Sequence, residues 1–160
     1  MTFSKCFGTL GGAVAGPRHV VHYLRHSARS ALFSASLPPA CTAAALAALD
    51  IVRTEPERRR AVMFTAERLR SGLVALGFGI APGGTPTVSL RVGDRLTCCR
   101  FWAGLLEEGV LANVMLPPAV PEGEAMIRLS VTAAHTGGQV DRILGAVATV
   151  AACLGLLPGT

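Results

Sequence analysis

Apolar positions recur at helical spacing through the first half of the chain and alternate in places after it. Val62, Leu69, Leu73 and Leu76 mark one face of a helix expected from Glu55 to Leu76, and Gly77 stands where a left-handed cap ends such a helix. Upstream, Gly16-Pro17 opens a helix through about Arg25, and Pro38-Pro39 opens another through about Arg53. Ala13 to Ala15 fits a short buried strand, and Ala31 to Leu37 an extended segment. Glycines and prolines cluster from Gly77 to Pro86, so a domain boundary is expected there. Beyond it Thr87 to Val92 alternates as a strand, Asp94 caps a helix running to about Glu108, and Gly109 stops it. Val110 to Met115 and Met126 to Val131 read as strands. Gln139 to Leu157 reads as a last helix, closed by Pro158-Gly159.

This order, strand–helix–strand–strand–helix, predicts a small α+β domain over residues 78–160. Residues 1–77 supply helices but hardly any sheet. They read as the remainder of a larger α/β domain, with a substantial N-terminal portion expected ahead of them.

Composition narrows the classes. Hydrophobic residues make up 51% of the 160 and charged residues 16%, enough to fill a core and too apolar for a disordered chain. The net charge of +5 raises nucleic acid as a partner. The arginines, however, are scattered from Arg18 to Arg142, and the one run, Arg58-Arg59-Arg60, lies among Glu55, Glu57 and Glu67 as on a solvated helix face. No nucleic-acid role is expected. Five cysteines, with Cys98 and Cys99 adjacent and no CxxC pair, suit neither a disulfide framework nor zinc. They read as small buried hydrophobes in a reducing cytoplasm. Met1 is followed by polar and glycine-rich sequence, so no signal peptide is expected. The longest apolar tail, Ile143 to Leu157, falls short of the ~20 residues of a membrane span. His19, His22 and His26 have a spacing that can bind metal, but no acidic ligand accompanies them, and a polar helix face is the expectation.

The sharpest chemical signal is Lys5. It is the only lysine, against fourteen arginines. Only a primary amine condenses with an aldehyde; a guanidinium does not. Arginine bias and chance produce a lone lysine too, so its surroundings matter. Lys5 sits in Thr2-Phe3-Ser4-Lys5-Cys6-Phe7-Gly8-Thr9-Leu10-Gly11-Gly12. Small residues let a planar group approach, Thr2 and Ser4 bring hydroxyls for a phosphate, and Phe3 and Phe7 favour the neutral amine.

This stretch resembles the lysine motif of the α-oxoamine synthases, a branch of the fold-type I pyridoxal-phosphate-dependent transferases. The resemblance continues through Phe33 to Pro39, Leu105 to Val110, Pro117 to Pro121, Ile127 to Ser130 and Thr132 to Thr136. It implies an α/β fold: the C-terminal part of a fold-type I transferase, with residues 1–77 closing the large domain and 78–160 forming the small one. It implies that Lys5 holds pyridoxal 5'-phosphate as a Schiff base and moves protons at the substrate α-carbon. By the same resemblance Thr2 bonds the cofactor phosphate. Ser34 reaches the phosphate of the neighbouring subunit, which makes a homodimer with shared sites. Arg128, whose planar fork suits a carboxylate, holds the amino-acid substrate. His135 and Thr136 read as structural, with Thr136 placed to cap the last helix. The implied reaction condenses an amino acid with an acyl-CoA to an α-amino ketone. It leaves glycine, alanine and serine open. The family's stacking histidine, pyridine-nitrogen aspartate and first phosphate loop precede the lysine and lie outside this chain. The competing reading is a non-catalytic remnant or a half-subunit that depends on a partner.

Overall fold

The computed structural model describes residues 1–157, so the expected Pro158-Gly159 stop lies outside the described residues. Helix α1 spans Arg18–Ser27, α2 Arg29–Leu32, α3 Pro39–Thr54 and α4 Pro56–Ala75. Strand β1 (Thr87–Gly93), α5 (Arg95–Glu107), β2 (Asn113–Met115), β3 (Ala125–Ser130) and α6 (Gly137–Cys153) follow. By contacts the chain divides between Pro56 and Glu57 into two compact units.

The second unit contains the core. Its sheet has the order β1-β3-β2, with both pairings antiparallel. Alternation puts Val88 and Leu90 of β1 and Ile127 and Leu129 of β3 on one buried face. Phe101 and Leu105 of α5 and Val147 of α6 are buried in the same cluster. Helix α4 adds the expected stripe: Leu69 and Leu73 are fully buried, and Val62 and Leu76 pack partly buried at the edge. That stripe explains why the contact division falls at the first residue of α4 rather than at 77/78. The helix is bound to the second unit by its own apolar face.

Local signals set the helix ends. Gly77, at φ +89°, donates its N–H to Val74 O at 2.9 Å, and Phe78 donates to Leu73 O at 3.1 Å. This pair of hydrogen bonds around a left-handed residue satisfies two of the last carbonyls of α4. The N–H of Val110 goes to Leu105 O at 2.8 Å in the same way at the end of α5. Asp94 accepts from Thr97 N at 2.7 Å, and Thr136 and Gln139 make a reciprocal capping box at the start of α6.

Several expectations are corrected. Ala13 to Ala15 is not a strand: Ala13 and Met1 bond each other's backbone, and the pairing stops there with Val14 exposed. The first part of Ala31–Leu37 lies in the short helix α2 instead of being extended. The strand expected from Val110 begins only at Asn113, because Val110 is committed to the α5 cap and Ala112 O accepts from Trp102 Nε1 at 3.0 Å. The last helix ends at Cys153, where Gly155 N–H returns to Ala152 O. The cysteines are not uniformly buried: Cys98 is, Cys41 and Cys99 are half-buried, and Cys6 and Cys153 are exposed. Among the described residues no helix is long and apolar enough to cross a membrane.

Candidate active site

The lysine lies on a loop closed by backbone hydrogen bonds. Phe3 N donates to Gly11 O at 2.8 Å, Thr9 N to Phe3 O at 3.1 Å, and Thr2 bridges Gly12. At the tip, Gly8 N donates to Lys5 O at 2.9 Å, a tight turn that presents Lys5 exposed. Phe3 and Phe7 pack on each other with ring centroids 5.3 Å apart. Among the described residues these two rings pair with each other, and Lys5 is exposed.

The hydroxyls beside it are organised. Thr2 Oγ1 and Ser4 Oγ are 2.9 Å apart, and Ser4 N donates to Thr2 Oγ1 at 3.3 Å. One lone pair of Thr2 is thereby occupied, which leaves its O–H to be donated. Ser34 follows α2, is exposed, and gives its hydroxyl hydrogen to Ser30 O. To donate to a phosphate it has to leave that carbonyl.

Arg128 belongs to the second unit, on the central strand β3. Its neighbours Ile127 and Leu129 face the core, so its side chain leaves the sheet on the other side, as the alternation predicts. Its cross-strand partners are Ser89 on β1 and Asn113 on β2. Nε of Arg128 is shielded from solvent and has no hydrogen-bond partner. Neither Ser89 nor Asn113 was singled out by motif. The alternation of residues 87–92, and the register of the strand ending at Met115, are the signals that locate them.

His135 Nδ1 accepts from Thr132 N at 3.0 Å, so the ring proton sits on Nε2 when the imidazole is neutral. The rings of His22 and His26 lie 4.5 Å apart on α1. Among the described residues no three metal-ligating side chains come together. A hollow of about 290 Å³ in the second unit is lined by Leu69, Val110, Leu129, His135, Arg142 and others, and by none of Thr2, Lys5, Ser34 and Arg128.

Residues 1–147 match the family of aminotransferases of classes I and II. The chain belongs to that family. Within it, the chain is 40% identical over 156 residues to 8-amino-7-oxononanoate synthase of Bacillus pumilus, which covers 98% of this chain and 40% of the relative. It is 38% identical over 156 residues to serine palmitoyltransferase of Caulobacter vibrioides, covering 98% and 39%. A structure of SPT with a PLP internal aldimine superposes with a TM-score of 0.90 at 32% identity, covering 98% of this chain and 40% of that one. This family member thus spans about two fifths of the length of the relatives it matches, and its fold is that of part of a fold-type I pyridoxal-phosphate-dependent transferase.

Proposed function

We propose that this chain is the lysine-bearing part of a pyridoxal-phosphate-dependent acyltransferase of the α-oxoamine synthase type, which condenses an amino acid with an acyl-CoA. The observation that carries the reading is Lys5, the one lysine of the chain, presented at the tip of a hydrogen-bonded loop beside a hydroxyl pair. The similarity to 8-amino-7-oxononanoate synthase and serine palmitoyltransferase over 98% of the chain supports it. An exposed primary amine with O–H donors beside it fits a phosphorylated aldehyde.

Bound there, pyridoxal 5'-phosphate would supply the electron sink for carbon–carbon bond formation. The chain's own residues do the rest. Lys5 Nζ would hold the cofactor and would accept the α-proton of the bound amino acid. Thr2 donates its hydroxyl to the phosphate. Ser34, released from Ser30, donates to the phosphate in a neighbouring subunit, so the working form is a homodimer. Arg128 orients the amino acid by its carboxylate. Residues 1–77 complete the cofactor domain, with α4 as its last helix although α4 packs on the second unit, and 78–160 form the small domain. We place the protein in the reducing cytoplasm on its cysteine usage, all five being free.

The test is borohydride reduction of the protein as isolated from its own cells, followed by peptide mapping. A reduced pyridoxyl group on the Lys5 peptide, and CoA release that depends on added amino acid, are the expected results. Retention of the group elsewhere, or its persistence in Lys5→Ala, sinks the assignment. If Lys5 captures cofactor and no amino acid releases CoA, the reading of a non-catalytic remnant takes its place.

A further inference from the structure

Arg128 is flanked on both sides because β3 is the central strand. Paired positions in antiparallel strands share a face, with Cβ atoms roughly 4.5–5.5 Å apart. Ser89 and Asn113 are therefore the nearest cross-strand side chains on the Arg128 face. Both are neutral. The three strands, Thr87–Gly93, Asn113–Met115 and Ala125–Ser130, contain no Asp or Glu, while Arg91 adds a second positive charge. The register next places Arg91 and Met115 beside Met126. So the face offers Arg128 no acidic partner from its own sheet, and its shielded Nε–H has no acceptor at all.

A shielded donor without an acceptor is costly and calls for an explanation. A carboxylate approaching side-on takes Nε–H and one Nη–H together, which satisfies the orphan and uses the planar fork. An oxygen held this way lies beside the two flanking positions. Asn113 has an amide with two N–H donors to offer it, whereas Ser89 has one O–H.

We propose that Asn113 is a substrate-contacting, specificity-determining residue. Its amide donates a further hydrogen bond to the carboxylate held by Arg128, and Ser89 supports that carboxylate from the other strand. The inference rests on the reading of Arg128 as the carboxylate holder. It adds that the site selects a planar carboxylate through a neutral donor on each side of the guanidinium, and that an acid at position 113 would close it.

The experiment titrates the full chain, labelled with nitrogen-15 arginine, with L-alanine. The Arg128 Nε–H resonance is followed alongside calorimetry. In the unaltered chain that resonance is expected to shift saturably. Asn113→Ala should weaken binding roughly ten- to a hundredfold, as loss of one hydrogen bond to a charged group does. Asn113→Gln, which keeps an amide, should recover part of the loss. Asn113→Asp should abolish the response, because its carboxylate occupies the guanidinium. Asn113 is exposed, and unchanged methyl resonances of Ile127 and Leu129 would show that the sheet is intact. If Asn113→Ala binds like the unaltered chain while the Arg128 resonance still shifts, the role of Asn113 is overturned and that of Arg128 stands. If the unaltered chain shows no shift of Arg128 Nε–H, both fall together.

Discussion

Gly104 of α5 faces Val150 of α6 so closely that a β-carbon at position 104 would lie 2.7 Å from Val150 Cγ1. Val150 is nearly buried, and a β-branched side chain has little freedom to turn away in a helix. Alanine at 104 ought to help, since glycine inside a helix is less favourable than alanine by about 0.5–1 kcal/mol. The overpacking cost, about 1–3 kcal/mol, is larger. Gly104→Ala is therefore expected to lower stability by roughly 1–2 kcal/mol. In a denaturant titration, Val150→Ala in the same chain should remove most of that penalty. Additive losses in the double variant would show that the two helices do not meet at this point.

Asp94 gives an acid-side signature. Its pKa is lowered by the backbone N–H of Thr97, first of all, with smaller help from the Thr97 hydroxyl and the N–H groups of Leu96 and Arg95. A carboxyl whose folded pKa lies below its unfolded value stabilises the fold above the unfolded pKa and loses that contribution as pH falls through the folded one. Melting temperature should therefore drop as pH falls from about 4 downward. Asp94→Asn, which keeps a capping oxygen without a titrating group, should flatten that part of the profile. Asp94→Ala should flatten it too, and lower stability at neutral pH. An Asn variant with an unchanged acid-side slope would assign the dependence to other carboxyls.

Most of the second unit was legible because its signals are local and agree with one another. The α4 stripe, Gly77, Asp94 and the Thr136 cap each state a geometry that the backbone then adopts. The misses occur where a residue serves two elements. Val110 has the side chain of a strand residue, but its N–H closes α5, so β2 starts late. In the first unit Val14, Leu32 and Phe33 are apolar and exposed, so hydrophobicity there did not report burial. The orientation of Arg128 away from the core followed from alternation between Ile127 and Leu129. Its flanking by Ser89 and Asn113 required the register, which no single strand pattern contains.

The cysteines should separate by reactivity. Burial, with smaller contributions from Cys99 and Asp94, pushes the Cys98 thiol up to about 11. Thiolate is the reactive form, so at pH 8 Cys98 is both shielded and almost wholly protonated. Iodoacetamide under native conditions is expected to modify Cys6 and Cys153 first, both being exposed. Cys98 should react only after denaturant is added. Early labelling of Cys98, read by peptide mass, would mean that α5 opens on the timescale of the reaction.

Thr2 offers a way to separate holding the cofactor from capturing it. Its Oγ1 already accepts the Ser4 N–H, so the hydroxyl hydrogen is left for Ser4 Oγ or for an anion. If that hydrogen goes to the cofactor phosphate, Thr2→Val removes one hydrogen bond to a charged group, worth about 1.5–3 kcal/mol. The equilibrium constant for pyridoxal 5'-phosphate should weaken roughly ten- to a hundredfold. The Lys5 amine is untouched, so borohydride should still trap the cofactor there when enough is supplied. Thr2→Ser, which keeps the donor, should bind much as the unaltered protein does. Equal affinity in the Val and Ser variants would mean that Thr2 serves only the Ser4 turn, and the phosphate would have to find its donors elsewhere.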